Sequence, residues 1–144
     1  MSGRVNPESV LTTNFRRMLE ARGAMTLKLS DSYTVGVPDL LIFHGRVILI
    51  EMKITRGKPK PPLTVSSWKS LGLTGAQDSR IRRAFRSNAS GAVVTGERDC
   101  ERPCLWVPDA ITETDDGTYT LVAVGMESIS DWTATLVGHS FGRF

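Results

Sequence analysis

The sequence predicts an α/β domain, a mixed sheet flanked by helices in the order αβββαβ and followed by a β-rich extension. Three observations predict it. A capped amphipathic segment opens the chain, β-branched runs flank a short turn near its middle, and a second helical stripe leads into further apolar runs. At 144 residues the chain fits a single domain, 1–144, large enough to bury a core without disulfides. The core is expected over about residues 7–95 and the extension over about 96–144.

Asn6-Pro7-Glu8 reads as a helix start: Asn at the N-cap, Pro at the first helical position, Glu at the positive end of the dipole. The helix is expected to run to about Arg22 and stop at Gly23. Leu11, Phe15, Met18 and Leu19 share one side of it. Glu8 falls on that same side, where a carboxylate is unusual; the alternative is a first-turn Glu that reaches solvent.

Met25–Leu29 is a strand candidate. Pro38–Phe43 and Val47–Ile54 flank His44-Gly45-Arg46 and read as a hairpin. Three prolines between Arg56 and Pro62 forbid a central strand or helix, so a mobile basic loop is expected, with Trp68 just beyond. Thr74 to about Ser87 is a second helix with Ile81, Ala84 and Phe85 as its apolar stripe. Ala92–Thr95 and Leu105–Val107 read as buried strands. Ile111–Thr114 and Thr118–Val124, around Asp115-Asp116-Gly117, suggest another hairpin, and the last twenty residues show no clear period.

Composition narrows the classes. With 40% hydrophobic and 23% charged residues, the chain is globular rather than disordered. No apolar run approaches the ~20 residues that a membrane span needs, and the first residues lack an apolar stretch behind Arg4. Two cysteines make no disulfide framework and suit a reducing compartment. A cytoplasmic, unsecreted protein without a membrane partner is expected. Its formal charge of +3 is unevenly spread: nine basic residues and one acid lie between Lys53 and Arg86, leaving the rest at -5. Such a stretch is the footprint of a polyanion partner. Arg56, Lys58, Lys60, Lys69, Arg80, Arg82, Arg83 and Arg86 are the expected nucleic-acid contacts, a solvated basic surface being the alternative; Trp68 is expected either to stack on a base or to serve as a core or lid residue.

Strand alternation puts Val47, Leu49, Glu51 and Lys53 on one face and Ile48, Ile50, Met52 and Ile54 on the other. A three-residue turn centred on Gly45 would set Phe43 opposite Val47, Leu41 opposite Leu49 and Asp39 opposite Glu51. An even turn would send Asp39 to the other face. In the odd register the two carboxylates stand about 4.5–5.5 Å apart at Cβ, and like charges so placed are destabilising. A divalent cation resolves the conflict, since hard oxygen donors at this spacing suit Mg²⁺, with Mn²⁺ as a substitute. Lys53, on the same face, can hold or deprotonate water, or steady phosphate charge. That describes a hydrolytic site for phosphodiesters.

Gly36-Val37-Pro38-Asp39, eleven residues, then Glu51-Met52-Lys53 resembles the PD-(D/E)xK nuclease motif, and the element order is similar to that superfamily's restriction-endonuclease-like core. With Leu73-Thr74-Gly75-Ala76-Gln77, the motifs most resemble the VRR-NUC group and the archaeal-type Holliday junction resolvases. The resemblance covers about residues 7–95. It implies Asp39 and Glu51 as metal ligands, the backbone carbonyl of Met52 as a third, Lys53 as catalytic lysine and Gln77 as the glutamine reaching in from the second helix. Glu8 matches the first-helix acid of many relatives, with Glu20 as its rival on another side of the helix.

The resemblance implies a Mg²⁺-dependent endodeoxyribonuclease that prefers branched DNA and works as a homodimer within repair, recombination, replication or phage-packaging assemblies. A nicking or end-processing nuclease is the nearest alternative, and an inactive nucleic-acid-binding subunit is the alternative from another class. Cys100 and Cys104 lack a His or second Cys pair for zinc and read as ordinary thiols. His44 and His139 read as turn and surface residues, Asp115 and Asp116 as turn chemistry.

Overall fold

The computed structural model describes residues 6–29, 39–43, 47–86, 90–97, 102–109 and 117–141, with the backbone alone for 85–86 and 134–141. Helix α1 spans Pro7–Ala21. The Asn6 side chain accepts from the Glu8 N–H at 2.9 Å, satisfying one of the donors that a helix start leaves open. At the other end Ala24 N–H donates to Leu19 C=O and Gly23 N–H to Glu20 C=O, the paired bonds of a Schellman stop. Gly23 has φ of 95°, which a side chain would strain. The helix therefore starts and ends as its capping residues predict.

Strands β1 (Met25–Lys28), β2 (Leu40–Phe43) and β3 (Val47–Ile54) follow, then β4 (Val65–Ser67), helix α2 (Gly75–Arg86), β5 (Ser90–Gly96), β6 (Cys104–Pro108), β7 (Thr118–Val124) and helix α3 (Met126–Phe141). One sheet of seven strands runs in the order β1-β2-β3-β5-β6-β7-β4. Among the described residues only β3 and β5 pair in parallel, as a connection passing through a helix allows. The expected αβββαβ order is present, with β4 inserted before α2.

The sheet buries a core on each face. Leu11, Phe15 and Leu19 of α1 and Ile129 of α3 cover Leu40, Ile42, Ile48, Ile50, Met52 and Val94. Leu71, Leu73 and Ile81 cover Val93, Trp106 and Tyr119 on the other side. Each fully buried large apolar side chain contributes about 1.5–3 kcal/mol, so the two layers fix which face of β3 is free for polar chemistry. Helix α2 lies close enough to β5 that a Cβ on Gly91 would stand 2.6 Å from the Ile81 carbonyl oxygen.

Three features depart from the sequence reading. Val65–Ser67, given no element of its own between the expected basic loop and Trp68, forms strand β4 on β7, with Ser66 opposite Tyr119. Three residues are too few to show a strand period. The β-rich extension ends in a helix, α3, whose buried side mixes Ile129 with Ser130 and Thr133; the Thr133 hydroxyl donates to the Ile129 carbonyl at 2.8 Å. Polar residues on the buried side blur a helical stripe. Of the second expected hairpin, Thr118–Val124 is β7, paired with β6 and β4, while Ile111–Thr114 lies outside the described residues, as do His44, Cys100, Asp115, Asp116 and the side chain of His139. Cys104 is a buried thiol. No described helix is long and apolar enough to cross a membrane.

Candidate metal centre and nucleic-acid interface

The register of β2 on β3 decides the site. Phe43 pairs with Val47 and Leu41 with Leu49, the odd register, which carries Asp39 to a place opposite Glu51. Asp39 stands just before β2, and its Oδ2 accepts from the Met52 N–H at 2.7 Å. One backbone donor thus locks the Asp39 carboxylate onto the neighbouring strand. Met52 turns its side chain into the core on the opposite face.

Glu51 is 2% exposed. Its Oε2 lies 3.4 Å from Lys53 Nζ and accepts from Gln77 Nε2 at 3.2 Å. Among the described residues no donor reaches its Oε1. Burial first, then the Asp39 carboxylate and a proton shared with it, push the Glu51 carboxyl up to about 8, against the opposing charge of Lys53. Near neutral pH this carboxyl therefore keeps a proton unless a cation takes its place. Two close carboxylates, one with a buried oxygen lacking a donor, fit a hard divalent ion. Asp39, Glu51, Lys53 and Gln77 are brought together as expected.

Gln77 is held twice. Thr74 Oγ1 accepts from the Gln77 N–H at 3.1 Å, and Gln77 Oε1 accepts from the Thr74 N–H at 2.9 Å. This reciprocal cap leaves Nε2 for Glu51. The Thr-x-x-Gln spacing at 74–77 is the sequence signal for it. Glu8 is half-buried at the start of α1. Burial, then Asp39, raise its carboxyl, while Lys53, Lys58 and Lys28 oppose the rise, so α1's first turn shares the field of the site. Among the described residues no three His, Cys, Asp or Glu gather closely enough to hold a metal, which leaves Glu8 outside the Asp39–Glu51 pair. Glu20 is committed elsewhere, accepting from Thr26 Oγ1 at 2.7 Å while Arg16 Nε donates to that oxygen at 2.8 Å. Lys28, in the field of Glu8, carries no motif that would have singled it out.

The expected DNA contacts divide. Arg56, Lys60, Lys69, Arg80 and Arg83 are exposed. Lys60 Nζ lies 3.6 Å from Glu97, an exposed pair worth little. Lys58 is half-buried, folded against Gly72. Trp68 packs against the second core, and the Lys69 ammonium sits 5.4 Å from its ring centre. The Arg86 side chain lies outside the described residues. Arg82 is the correction: it is 5% exposed, and its Nε donates to Asp78 Oδ1 at 2.9 Å. One turn separates the two on α2, so burial beside an internal carboxylate removes Arg82 from the expected phosphate contacts.

No family model matches the chain, and no curated protein does. Among solved structures the chain is similar to one described as "VRR_NUC domain", with 21% identity and a TM-score of 0.46 over 66% of this chain and 89% of that one.

Proposed function

We propose that this chain is a Mg²⁺-dependent endodeoxyribonuclease acting on branched DNA, with Mn²⁺ able to substitute. The observation that carries the reading is Glu51: a buried carboxyl facing Asp39, bonded through Oε2 to Gln77 and beside Lys53, with no donor to Oε1 among the described residues. Asp39 and Glu51 would hold the ion, with the Met52 carbonyl as a third donor and Glu8 close enough to bias the site by its charge. When bound, the ion would polarise the scissile phosphate. Asp39 is kept in place by the Met52 N–H, and Gln77 keeps the Glu51 carboxylate turned toward its partner. Lys53 holds the attacking water or steadies the charge that develops on phosphate oxygen.

Around this centre, Arg56, Lys58, Lys69, Arg80 and Arg83 supply contacts that track phosphates and read shape rather than base edges. Cutting a junction on two strands needs two sites, so a symmetric dimer belongs to the reading; a monomeric sedimentation mass at micromolar concentration would contradict it. Partners in repair, recombination, replication or phage packaging fit the same activity.

The test is cleavage of a labelled four-way junction beside its matched linear duplex, each in Mg²⁺, Mn²⁺ and EDTA. Metal-dependent paired nicks near the branch are expected. Equal cutting of both substrates keeps the nuclease and discards the branch preference. Salt-sensitive binding with no cutting in either metal would replace this reading with a binding subunit.

A further inference from the structure

One residue beyond Gln77, α2 carries a polar knot that the site itself does not use. Asp78 is 8% exposed, Arg82 5% and Tyr119 fully buried. The Tyr119 hydroxyl donates to Asp78 Oδ1 at 2.7 Å, the same oxygen that accepts from Arg82 Nε. The Arg82 guanidinium carbon lies 5.3 Å from the centre of the Tyr119 ring. Burial, then the Asp78 carboxylate, push the Tyr119 phenol up, so it stays the donor. Gly117, just before β7, is fitted to the cation: a Cβ there would fall 1.8 Å from Arg82 Nη2.

Charge buried in this way is poor value for stability, because a well-packed apolar trio does as well or better. What it provides is a single geometry, since Tyr119 and Arg82 must both reach the one oxygen, Asp78 Oδ1. The apolar contacts of Ile81 and Ala84 set no fixed roll of the helix to within a fraction of an ångström; the bond that Tyr119 donates to Asp78, with the Arg82 guanidinium over the Tyr119 ring, does. Gln77 reaches Glu51 at 3.2 Å, near the long end for an N–H···O bond, so a slight roll breaks it.

We propose that Asp78, Arg82 and Tyr119 are positioning residues that set the roll of α2 and so keep the Gln77 carboxamide on Glu51. The inference rests on the reading of the Asp39–Glu51 site above. It also gives the C-terminal extension, through β7, a part in a site whose chemistry lies wholly before residue 78.

Tyr119→Phe tests it, because the ring and its contact with Arg82 remain while the hydroxyl goes. The first readout needs no activity: the Gln77 side-chain amide resonances in metal-free, ¹⁵N-labelled protein. They should move toward those of a solvated glutamine, while the backbone amides of β3 and β5 stay in place. Unmoved Gln77 resonances would overturn the proposal. The second readout is a double-mutant cycle with Gln77→Ala on junction cleavage. Tyr119→Phe should lower kcat about tenfold at constant KM, and should cost nothing further once Gln77 is alanine. Additive losses would make Tyr119 a matter of stability alone and overturn the proposal. A wild-type protein that cuts nothing would defeat the nuclease reading, yet the amide shift would still decide the positioning. If Tyr119→Phe does not fold, the isosteric Asp78→Asn is read the same way.

Discussion

Glu51 shows how a strand places a carboxyl where burial keeps it protonated. Its carboxyl is held up to about 8, first by burial and then by Asp39, so the folded chain binds that proton more tightly than the unfolded chain does. The linkage has a definite sign. The contribution to stability is complete below the ordinary carboxyl range, near 4.5, and is lost as pH rises through about 8. Metal-free protein should resist denaturant less at pH 8.5 than at pH 5.5, by an amount on the order of a few kcal/mol. Glu51→Gln should flatten that slope, and Mg²⁺ should offset the loss in the wild type alone. A slope unchanged by Glu51→Gln would show that another group causes it. The pairing of Asp39 with Glu51 was legible because strand period and an odd turn leave one register. Arg82 was not. In a run of four arginines each reads as solvated, and its partner Tyr119 lies on a strand 37 residues away with no local pattern joining them.

Helix α2 carries the glutamine, so its seat should matter as much as its residues. Gly91→Ala would put a methyl 2.6 Å from the Ile81 carbonyl oxygen, and backbone cannot turn aside as a side chain can. The variant is expected to lose roughly 1–3 kcal/mol in denaturant titration and to lose cleavage more than DNA binding; unchanged stability would mean that α2 sits further from β5. Thr74→Ala removes one half of the cap on Gln77 and should cost about 1 kcal/mol, seen as a lower melting temperature. Helices α1 and α2 were legible in their caps and stripes. Strand β4 and helix α3 were not: one is three residues long, and the other hides Ser130 and Thr133 on its buried side. Both depend on contacts with β7 or with the sheet that no local window contains.

Across the molecule, charge and shape divide the labour. The basic stretch that opposes an otherwise acidic chain predicts salt-sensitive DNA binding. Arg80→Ala should weaken binding to junction and duplex alike and reduce the slope of log affinity against log salt by about one. Arg82→Ala should instead lower stability with little change in that slope, which fluorescence anisotropy across a salt series distinguishes. The central claim is that Asp39 and Glu51 hold a metal, and that Lys53 beside it acts on the water or the phosphate to cut DNA. The most direct test is single-turnover cleavage by Lys53→Ala and Glu51→Gln in Mn²⁺, with Mn²⁺ binding followed by electron paramagnetic resonance on the same samples. The account predicts that Lys53→Ala still binds Mn²⁺ but loses cleavage by 100-fold or more, roughly the lower bound for acid–base or electrostatic catalysis, while Glu51→Gln loses both. Full cleavage by either variant, or Mn²⁺ bound equally well by Glu51→Gln, would contradict it.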